Sequence, residues 1–295
     1  MKLNKIAITT GDILGVGEEI TSKALKIINP DKDKIIIIGK NLNLGYETIE
    51  VDPKDNGEFC YNSLKIACNL ANEGKIQGIV TAPVSKEALH KSGYNFNGQT
   101  EILEYFLGDK SNKAEMVFIE NDLRVMLLTR HVALSDIKIT KEMIIEKTIR
   151  FHDFLKNKCK IKNPRIALCA LNPHAGENGI LGDEEKLIIN PAINELKLQN
   201  LDVEGAYSAD ALFLKVGKKY LSHQKQDYDG IISMYHDQGL CPVKALTGDN
   251  SVNTTIGLKV IRTSPPTGTA YDIKGKNIAD PNGMVKAIEL MLKLL

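Results

Sequence analysis

Short apolar runs alternate with amphipathic helical stretches along this chain, and that alternation limits its fold more than any other feature. The run "KIIIIG" is typical of a buried strand, whereas "TKEMIIEKTIRFHDFLK" places apolar residues at helical spacing behind a plausible N-cap, Thr140. Strands that alternate with helices usually pair in parallel, because the helix returns the chain across the sheet. The sequence therefore predicts an α/β protein with a mostly parallel sheet. The runs "AEMVFI" and "LRVMLLT" predict a pair of strands.

The chain is long enough to bury a sizeable core, yet no linker divides it. Its 295 residues are 43% hydrophobic, which suits one large domain or two intimately joined ones. No stretch rich in Gly, Ser or Pro separates two halves. Two domains would therefore have to share elements of structure.

Charge and cysteine usage exclude several classes of partner. The chain has 38 basic and 37 acidic side chains without long blocks of one sign, so neither nucleic acid nor an anionic membrane surface is an expected partner. Its five cysteines are odd in number and widely spaced, which indicates reduced thiols. The N-terminus lacks a signal-peptide core, and no apolar run is long enough to span a bilayer. We expect a cytoplasmic protein.

Three histidines follow predicted strands. His131 comes after "VMLLT", His174 after "IALCALN" and His236 after "GIISMY". In open α/β sheets ligands bind beyond the carboxyl ends of the strands, so the fold would bring these side chains to the edge where ligands sit. Three neutral imidazoles with an open fourth position make a common catalytic metal site. The alternative is that each histidine forms ordinary structural hydrogen bonds.

A glycine-punctuated turn and several polar residues allow two interpretations each. The stretch "TTGDILGVGEE" is either a weak nucleotide motif or a tight turn between a strand and a helix. Lys244, Asn253 and Arg262 follow one another at nine-residue spacing, and Arg262 closes the run "LKVI". A cation there could be a solvated strand end or could bind a phosphate or carboxylate. Thr100 could cap a helix or contact a ligand.

Taken together, these motifs resemble the 4-hydroxythreonine-4-phosphate dehydrogenase family, NAD-dependent enzymes of pyridoxal phosphate biosynthesis. The resemblance runs nearly end to end, and the pair "LNPHAGE" and "MYHDQGL" is its most specific part. The other matching motifs are "ITTGDILGVGEE", "TAPVSKEAL", "NGQTE", "HVALSDI", "SADALF", "VNTTIGL" and "GTAYDIKGK".

The resemblance implies a fold like that of isocitrate and isopropylmalate dehydrogenases. Two α/β domains would share a mostly parallel sheet core, with the active-site cleft between them. Residues 1–125 and 262–295 would form an outer domain from both chain ends. Residues 126–261 would form a central domain that carries the interface of a homodimer.

The resemblance also implies which residues would bind the metal, the substrate and the cofactor. His131, His174 and His236 would bind a divalent metal shared between the two subunits, most simply zinc, with magnesium or cobalt as alternatives. The substrate, a small phosphorylated four-carbon acid, would contact Gln99, Thr100, Lys244, Asn253 and Arg262. NAD or NADP would contact a loop similar to the adenine-binding loop of isocitrate dehydrogenases, at Gly268, Thr269, Asp272 and Asn277.

The chain departs from the family pattern at two places. Gln99 stands where the family usually has histidine, and Pro266 and Thr267 stand where it tends to have Asp-His. Glutamine can donate a hydrogen bond but cannot carry charge. These changes leave NAD and NADP equally open. They also make a four-carbon sugar-acid phosphate, threonate or erythronate 4-phosphate, an alternative substrate.

The reaction that the resemblance implies is a metal-dependent oxidation of a secondary alcohol. 4-Phosphooxy-L-threonine would become a 3-oxo acid that decarboxylates to 3-amino-2-oxopropyl phosphate, on the route to pyridoxine 5'-phosphate. Lys244 would anchor the substrate, and Asp237 or Asp210 could assist proton transfer or orient a ligand. Three other classes stay open: a metal-dependent hydrolase, an acyl-phosphate transferase of similar architecture, and a binding protein that has lost turnover.

Overall fold

The computed structural model describes residues 5–52 and 54–295. Its strands are β1 (Ile6–Thr9), β2 (Ile35–Gly39), β3 (Glu47–Glu50), β4 (Gly78–Thr81), β5 (Glu115–Glu120), β6 (Leu123–Leu127), β7 (Arg165–Cys169), β8 (Asp202–Tyr207), β9 (Gly230–Ser233), β10 (Val252–Ile256) and β11 (Ile261–Ser264). Its α-helices are α1 (Gly17–Ile28), α2 (Asn56–Asn72), α3 (Lys86–Lys91), α4 (Gln99–Leu107), α5 (Lys141–Asn157), α6 (Asn190–Leu198), α7 (Ala209–Leu221), α8 (His236–Thr247) and α9 (Asn282–Leu294).

The chain divides into two compact units. Unit 1 is formed by residues 1–114 and 249–295, and unit 2 by residues 115–248. The bounds expected from the sequence, after residues 125 and 261, would cut through β6 and would separate β10 from β11. In the structure β5 pairs with β6 and β10 pairs with β11, both antiparallel. Each of these antiparallel pairs stays within one unit.

Unit 1 contains a mostly parallel array of strands in the order β3-β2-β1-β4-β11-β10. All its neighbours pair in parallel except β10 and β11. Strands β1 and β4 are buried on both faces, as their continuous apolar sequences predict. Helices α2 and α4 pack on one face, around Phe59, Leu64 and Ile102, which have no exposed surface.

Unit 2 has the strand order β5-β6-β9-β7-β8. Strand β6 pairs in parallel with β9, β9 with β7, and β7 with β8. The predicted mostly parallel α/β fold is confirmed, as is the predicted strand pair that became β5 and β6. Because the parallel strands run in one direction, their carboxyl ends meet at one edge of this unit.

Local sequence signals set where several helices begin. The Thr140 hydroxyl accepts a hydrogen bond from the backbone N–H of Met143 at 3.1 Å and caps α5, as the sequence predicts. Asp55 caps α2 and Ser85 caps α3 in the same way. Among the residues that the structure describes, no helix is both long and apolar enough to cross a membrane.

Phe59 tests the packing of unit 1, because it is completely buried between α2 and the strands. We expect Phe59→Ala to lower the free energy of unfolding by about 3 to 5 kcal/mol, since it removes a large apolar side chain and leaves a cavity. Ile27→Ala on α1 is the control, because 63% of Ile27 is already exposed. Urea unfolding followed by circular dichroism measures both. An equal effect of the two variants would contradict this packing.

Candidate functional site

Two of the three predicted metal ligands lie side by side in unit 2. The rings of His131 and His236 are 5.6 Å apart between centroids and are tilted by 47°. Zinc binds imidazole nitrogen at about 2.0–2.1 Å, so two rings on one tetrahedral ion would have centroids roughly 5 to 6 Å apart. The spacing of this pair therefore fits a shared divalent cation.

The pairing of β6 with β9 brings the two rings together. Beyond these strands the Leu128 N–H donates to the Ser233 carbonyl at 2.8 Å, and the Thr129 hydroxyl donates to the Met234 carbonyl at 2.7 Å. His131 therefore follows a loop that is tied to the loop before His236. Helix α8 begins at His236 and approaches β9 closely at Gly239, where a Cβ atom would lie 2.4 Å from the Ser233 Oγ.

Asp237 orients one of these rings. The Nδ1 atom of His236 lies 2.7 Å from the Asp237 Oδ1. A carboxylate partner at Nδ1 favours the tautomer whose Nε2 lone pair is available to a metal, and such carboxylate–histidine pairs are common around metal sites. The predicted orienting role of Asp237 thus has a geometric basis.

His174 occupies a different part of the same edge, in an unusual turn. Residues 174–178, here called the left-handed turn, all have positive φ between 45° and 76°, and only Gly176 among them is glycine. Left-handed helical geometry costs other L-residues about 1–2 kcal/mol each. The turn must therefore be held by its surroundings.

The left-handed turn lies close to the N-terminus of α7. A hydrogen bond from the Ser208 hydroxyl lowers the pKa of the Asp210 carboxyl, and the nearby His174 imidazole acts in the same direction. Asp210 is therefore a carboxylate at neutral pH and can accept hydrogen bonds, while its predicted part in proton transfer stays a prediction. Within residues 5–52 and 54–295, no three His, Cys, Asp or Glu side chains form a group that could hold a metal ion. Convergence of all three histidines on one cation stays a prediction.

Glu185 holds the base of the left-handed turn. Its carboxylate is buried and accepts hydrogen bonds from the backbone N–H groups of Leu171 and Asn172, both at 2.8 Å, through Oε1. The Asn172 side-chain amide donates to Oε2 at 3.0 Å. A Cβ atom on Gly176 would lie 2.7 Å from the same Oε2, so the turn packs directly against this carboxylate.

Unit 1 contains a buried cation. Arg262 lies on β11 with 4% of its surface exposed, and its Nε donates to the Thr81 hydroxyl at 2.7 Å. Burial lowers the pKa of Arg262 to about 9, which still leaves the guanidinium charged at neutral pH. It has no carboxylate partner among the described residues. An unpaired buried charge costs several kcal/mol, and an anionic ligand bound to the Arg262 guanidinium would offset that cost.

Polar side chains surround Arg262 on one face of the unit 1 strands. Thr255 pairs with Arg262 across β10 and β11, and Asn253 lies two residues away on the same face. Thr9 pairs with Thr81 across β1 and β4. The side-chain oxygens of Thr9, Asn253 and Thr255 are buried without a hydrogen-bond partner among the described residues. This polar face, Thr9, Thr81, Asn253, Thr255 and Arg262, offers unused donors and acceptors to a ligand.

The remaining predicted substrate residues lie in both units. Gln99 begins α4, and its Nε2 donates to the Ala82 carbonyl at 3.1 Å, while its Oε1 is buried without a partner in the described structure. Thr100 follows it in the first turn of α4 and is partly buried. Lys244 belongs to unit 2, where it is exposed on α8.

The predicted cofactor loop docks on the glycine turn. The backbone N–H of Val16 donates to the Thr269 carbonyl at 2.9 Å, and Tyr271 donates to the buried Asp12 carboxylate at 2.7 Å. A Cβ atom on Gly15 would lie 2.7 Å from the Thr269 carbonyl oxygen, so glycine allows the close approach. The glycine turn is thus a tight strand-to-helix turn that supports the loop carrying Gly268.

Asp272 and Asn277 lie further along that loop. Asp272 belongs to a short 3-10 turn, and Asn277 has a positive φ of 57°. The Asn277 carbonyl accepts a hydrogen bond from Lys23 on α1 at 3.0 Å. Beside Tyr271 a surface cavity of about 340 Å³ opens between the N-termini of α2 and α3. Cavities of this size hold small ligands or parts of larger ones.

Sequence reasoning missed several residues of these sites. Thr81 was not singled out, although it ends a predicted strand, and its proximity to Arg262 follows only from the pairing of β4 with β11. Glu185 gave no local signal, because its partners lie thirteen and fourteen residues earlier. The acidic residue after "TTG", Asp12, could have been found as a polar group at a strand end.

Comparison with known proteins decides the family. The family model described as pyridoxal phosphate biosynthetic protein PdxA matches residues 5–291. The chain belongs to the PdxA family. The predicted family resemblance is therefore confirmed.

Individual relatives agree with this assignment. A 4-hydroxythreonine-4-phosphate dehydrogenase from Bacteroides thetaiotaomicron is 38% identical over 96% of this chain and 86% of its own length. A D-threonate 4-phosphate dehydrogenase from Cupriavidus necator is 42% identical over 79% of this chain and 68% of its own. The solved 4-hydroxythreonine-4-phosphate dehydrogenase of Burkholderia phymatum superimposes with a TM-score of 0.80 at 34% identity, covering 99% of this chain and 98% of that one.

A more distant structure bears on the fold alone. The β-decarboxylating dehydrogenase of Thermococcus kodakarensis matches with a TM-score of 0.59 at 15% identity, over 98% of this chain and 83% of that chain. This likeness agrees with the predicted isocitrate and isopropylmalate dehydrogenase type of fold.

A substitution at Gly176 tests how tightly the left-handed turn is packed. We expect Gly176→Ala to lower the free energy of unfolding by about 1 to 3 kcal/mol, because the new Cβ would meet Glu185 and residue 176 would become strained at φ +76°. Gly217→Ala on α7 is the control, since its nearest neighbour would be an ordinary 3.5 Å away. Thermal unfolding compares them, and an unchanged melting temperature for Gly176→Ala would argue against this geometry.

Proposed function

We propose that the protein is a metal-dependent, NAD(P)-linked dehydrogenase acting on 4-phosphooxy-L-threonine (4-hydroxythreonine 4-phosphate). The secondary alcohol loses a hydride to the nicotinamide and a proton to a base, which gives a 3-oxo acid. That acid loses CO₂ and yields 3-amino-2-oxopropyl phosphate, a precursor of pyridoxine 5'-phosphate. Membership of the PdxA family and the adjacent imidazoles of His131 and His236 support this proposal most directly.

The metal site would be completed in a homodimer. His131 and His236 of one subunit would supply two nitrogen ligands, and His174 of the second subunit would supply the third. The adjacent rings of His131 and His236, together with the lack of a three-residue ligand group in the described part of a single chain, support a site that a second subunit completes. Imidazole nitrogens suit zinc best, with cobalt or magnesium as alternatives. When bound, the ion supplies Lewis-acid stabilisation of charge on the substrate hydroxyl oxygen.

Arg262 is the strongest candidate for anchoring the substrate anion. A guanidinium can bind two oxygens of a phosphate or carboxylate at once, and Thr81 holds its Nε at 2.7 Å, which limits its orientation. Asn253 presents a buried oxygen on the same face. Gln99 and Thr100 at the start of α4, and Lys244 on α8, would contact other groups of the substrate. Holding the substrate this way fixes the reacting carbon relative to the nicotinamide.

The two acidic residues would have separate roles. Asp237 accepts a hydrogen bond from the His236 ring and so keeps its other nitrogen available. The lowered pKa keeps Asp210 ionised at neutral pH but makes it a weak base, so its role would be to accept a hydrogen bond that orients the substrate or the His174 ring.

The nicotinamide cofactor would bind at the loop that carries Gly268, Thr269, Asp272 and Asn277. This loop is tied to the glycine turn and borders the cavity of about 340 Å³ beside Tyr271. A carboxylate such as Asp272 can accept hydrogen bonds from ribose hydroxyls, as acidic residues do in other dinucleotide sites. Cys68 and Cys169 are free thiols, as is usual for proteins of a reducing compartment such as the cytoplasm.

A four-carbon sugar-acid phosphate is the second candidate substrate. The D-threonate 4-phosphate dehydrogenase of Cupriavidus necator is 42% identical to this chain over the matched region. In addition, the uncharged Gln99 presents a buried acceptor oxygen that could receive a hydrogen bond from either a hydroxyl or an ammonium group. The ratio of kcat/KM for the two acids, measured with NAD and with NADP, decides between them.

His174 provides the first test of the proposed function. We expect His174→Asn to lower zinc-dependent formation of reduced nicotinamide by roughly 100-fold or more, because a metal ligand is lost. Asparagine tolerates the positive φ of 51° at this position. The matched control is His223→Asn, since His223 is also exposed and has a φ of 54°. Full activity and full zinc content of His174→Asn after dialysis would exclude His174 as a ligand.

Arg262 provides the second test. We expect Arg262→Lys to raise KM for the phosphorylated substrate by about 10- to 100-fold, since lysine keeps the charge but cannot bind an anion bidentately. Arg165→Lys is the control, because Arg165 is a partly exposed surface residue paired with Glu204. Steady-state kinetics at saturating cofactor measures the change. An unaltered KM would place the anion elsewhere.

A further inference from the structure

We propose that Glu185 is a positioning residue, whose buried carboxylate holds the left-handed turn so that His174 points at the metal site. This inference rests on the proposed function, in which His174 is a metal ligand. Glu185 itself lies beneath the turn and would touch neither metal nor substrate. Its effect on the site would pass entirely through the backbone between Leu171 and Gly176.

The hydrogen bonds of the Glu185 side chain in the described structure are all with the segment that leads into the left-handed turn. Oε1 accepts the backbone N–H groups of Leu171 and Asn172 at 2.8 Å, and Oε2 accepts the Asn172 side-chain amide at 3.0 Å. These donors come directly before His174. Oε2 also stands where a side chain on Gly176 would have to go. One carboxylate therefore fixes the chain on both sides of the histidine.

A carboxylate is chemically the right group for this position. The three hydrogen bonds to the Glu185 carboxylate in the described structure all come from N–H donors, and an ionised carboxylate only accepts. A glutamine in the same place would keep an acceptor oxygen for the backbone N–H groups of Leu171 and Asn172 but would direct its NH₂ group at the Asn172 side-chain amide, which is itself a donor. The change removes one hydrogen bond and takes the charge away from the other two, which weakens the restraint on the turn.

The helix that carries Glu185 is also adapted to this contact. Residues Glu185–Ile189 form a π-helical turn that leads into α6. Pro191 lacks an N–H group and would clash with the carbonyl four residues earlier in a regular α-helix, so the wider turn accommodates it. Glu185 is the first residue of this π turn, and its side chain reaches Asn172. Single π turns are frequent at functional sites.

The test uses Co²⁺ as a spectroscopic probe of the metal site. We expect Glu185→Gln to weaken Co²⁺ binding by about 10- to 100-fold, as outer-shell changes around metal sites commonly do, and to alter the ligand-field spectrum of the bound ion. Far-UV circular dichroism should stay as in the parent protein. Glu184→Gln is the matched control, because the Glu184 carboxylate accepts the Asn172 side-chain amide at 2.7 Å but, in the described structure, no backbone N–H group of the turn. We expect its Co²⁺ affinity to change less than about threefold.

A rescue experiment separates positioning from general destabilisation. Ala175 has a φ of 55°, which glycine adopts without strain. Adding Ala175→Gly to Glu185→Gln should therefore recover part of the lost Co²⁺ affinity and return the spectrum towards that of the parent. If Glu185→Gln does not fold, Glu185→Asp keeps the charge but shortens the reach, and we expect it to give an intermediate affinity.

The outcomes distinguish this inference from the proposed function. If His174→Asn loses Co²⁺ but Glu185→Gln binds it with parental affinity and spectrum, the positioning role is wrong and the metal site stands. If His174→Asn itself binds Co²⁺ normally, the proposed metal site is wrong. Loss of affinity in Glu185→Gln without any recovery on Ala175→Gly would also overturn the positioning role, because the effect would then not depend on the conformation of the turn.

Discussion

Parallel pairing between fully buried strands is the constraint on which the rest of this structure depends. In unit 2, strands β6, β9 and β7 are joined in parallel, so their carboxyl ends meet at a single edge. A one-residue slip of register would turn each buried side chain to the opposite face, so burial fixes the alignment. The adjacent rings of His131 and His236 are a direct consequence, since each follows one of two neighbouring strands.

Each unit contains a buried charged side chain, and the two side chains differ in their hydrogen-bond partners. In unit 2 the buried carboxylate of Glu185 is satisfied by N–H donors of its own chain. In unit 1 the buried guanidinium of Arg262 donates to one hydroxyl, that of Thr81, and pairs with no carboxylate among the described residues. The first arrangement is complete without a ligand and serves to hold backbone. The second is incomplete and suits the capture of an anion.

Much of the fold and part of the site could be predicted from local sequence signals. The strand runs, the Thr140 cap and the positions of His131 and His236 all depend on periodicity and on where a strand ends. The left-handed turn could not be predicted, because four of its five residues are not glycine and the Glu185 carboxylate that packs against it lies outside the turn. The boundaries of the two units could not be predicted either. They depend on which strands pair, and a short apolar run in the sequence does not indicate its partner strand.

The division of the chain also has a consequence for its synthesis. Unit 1 takes its last strands and its last helix from residues 249–295, whereas unit 2 is continuous in sequence. Strand β11 pairs with β4, so the emerging polypeptide leaves β4 with an open side until residues 261–264 have been synthesised. An exposed apolar strand edge invites association with other chains. The N-terminal third of this protein is therefore the part that most needs protection on the ribosome.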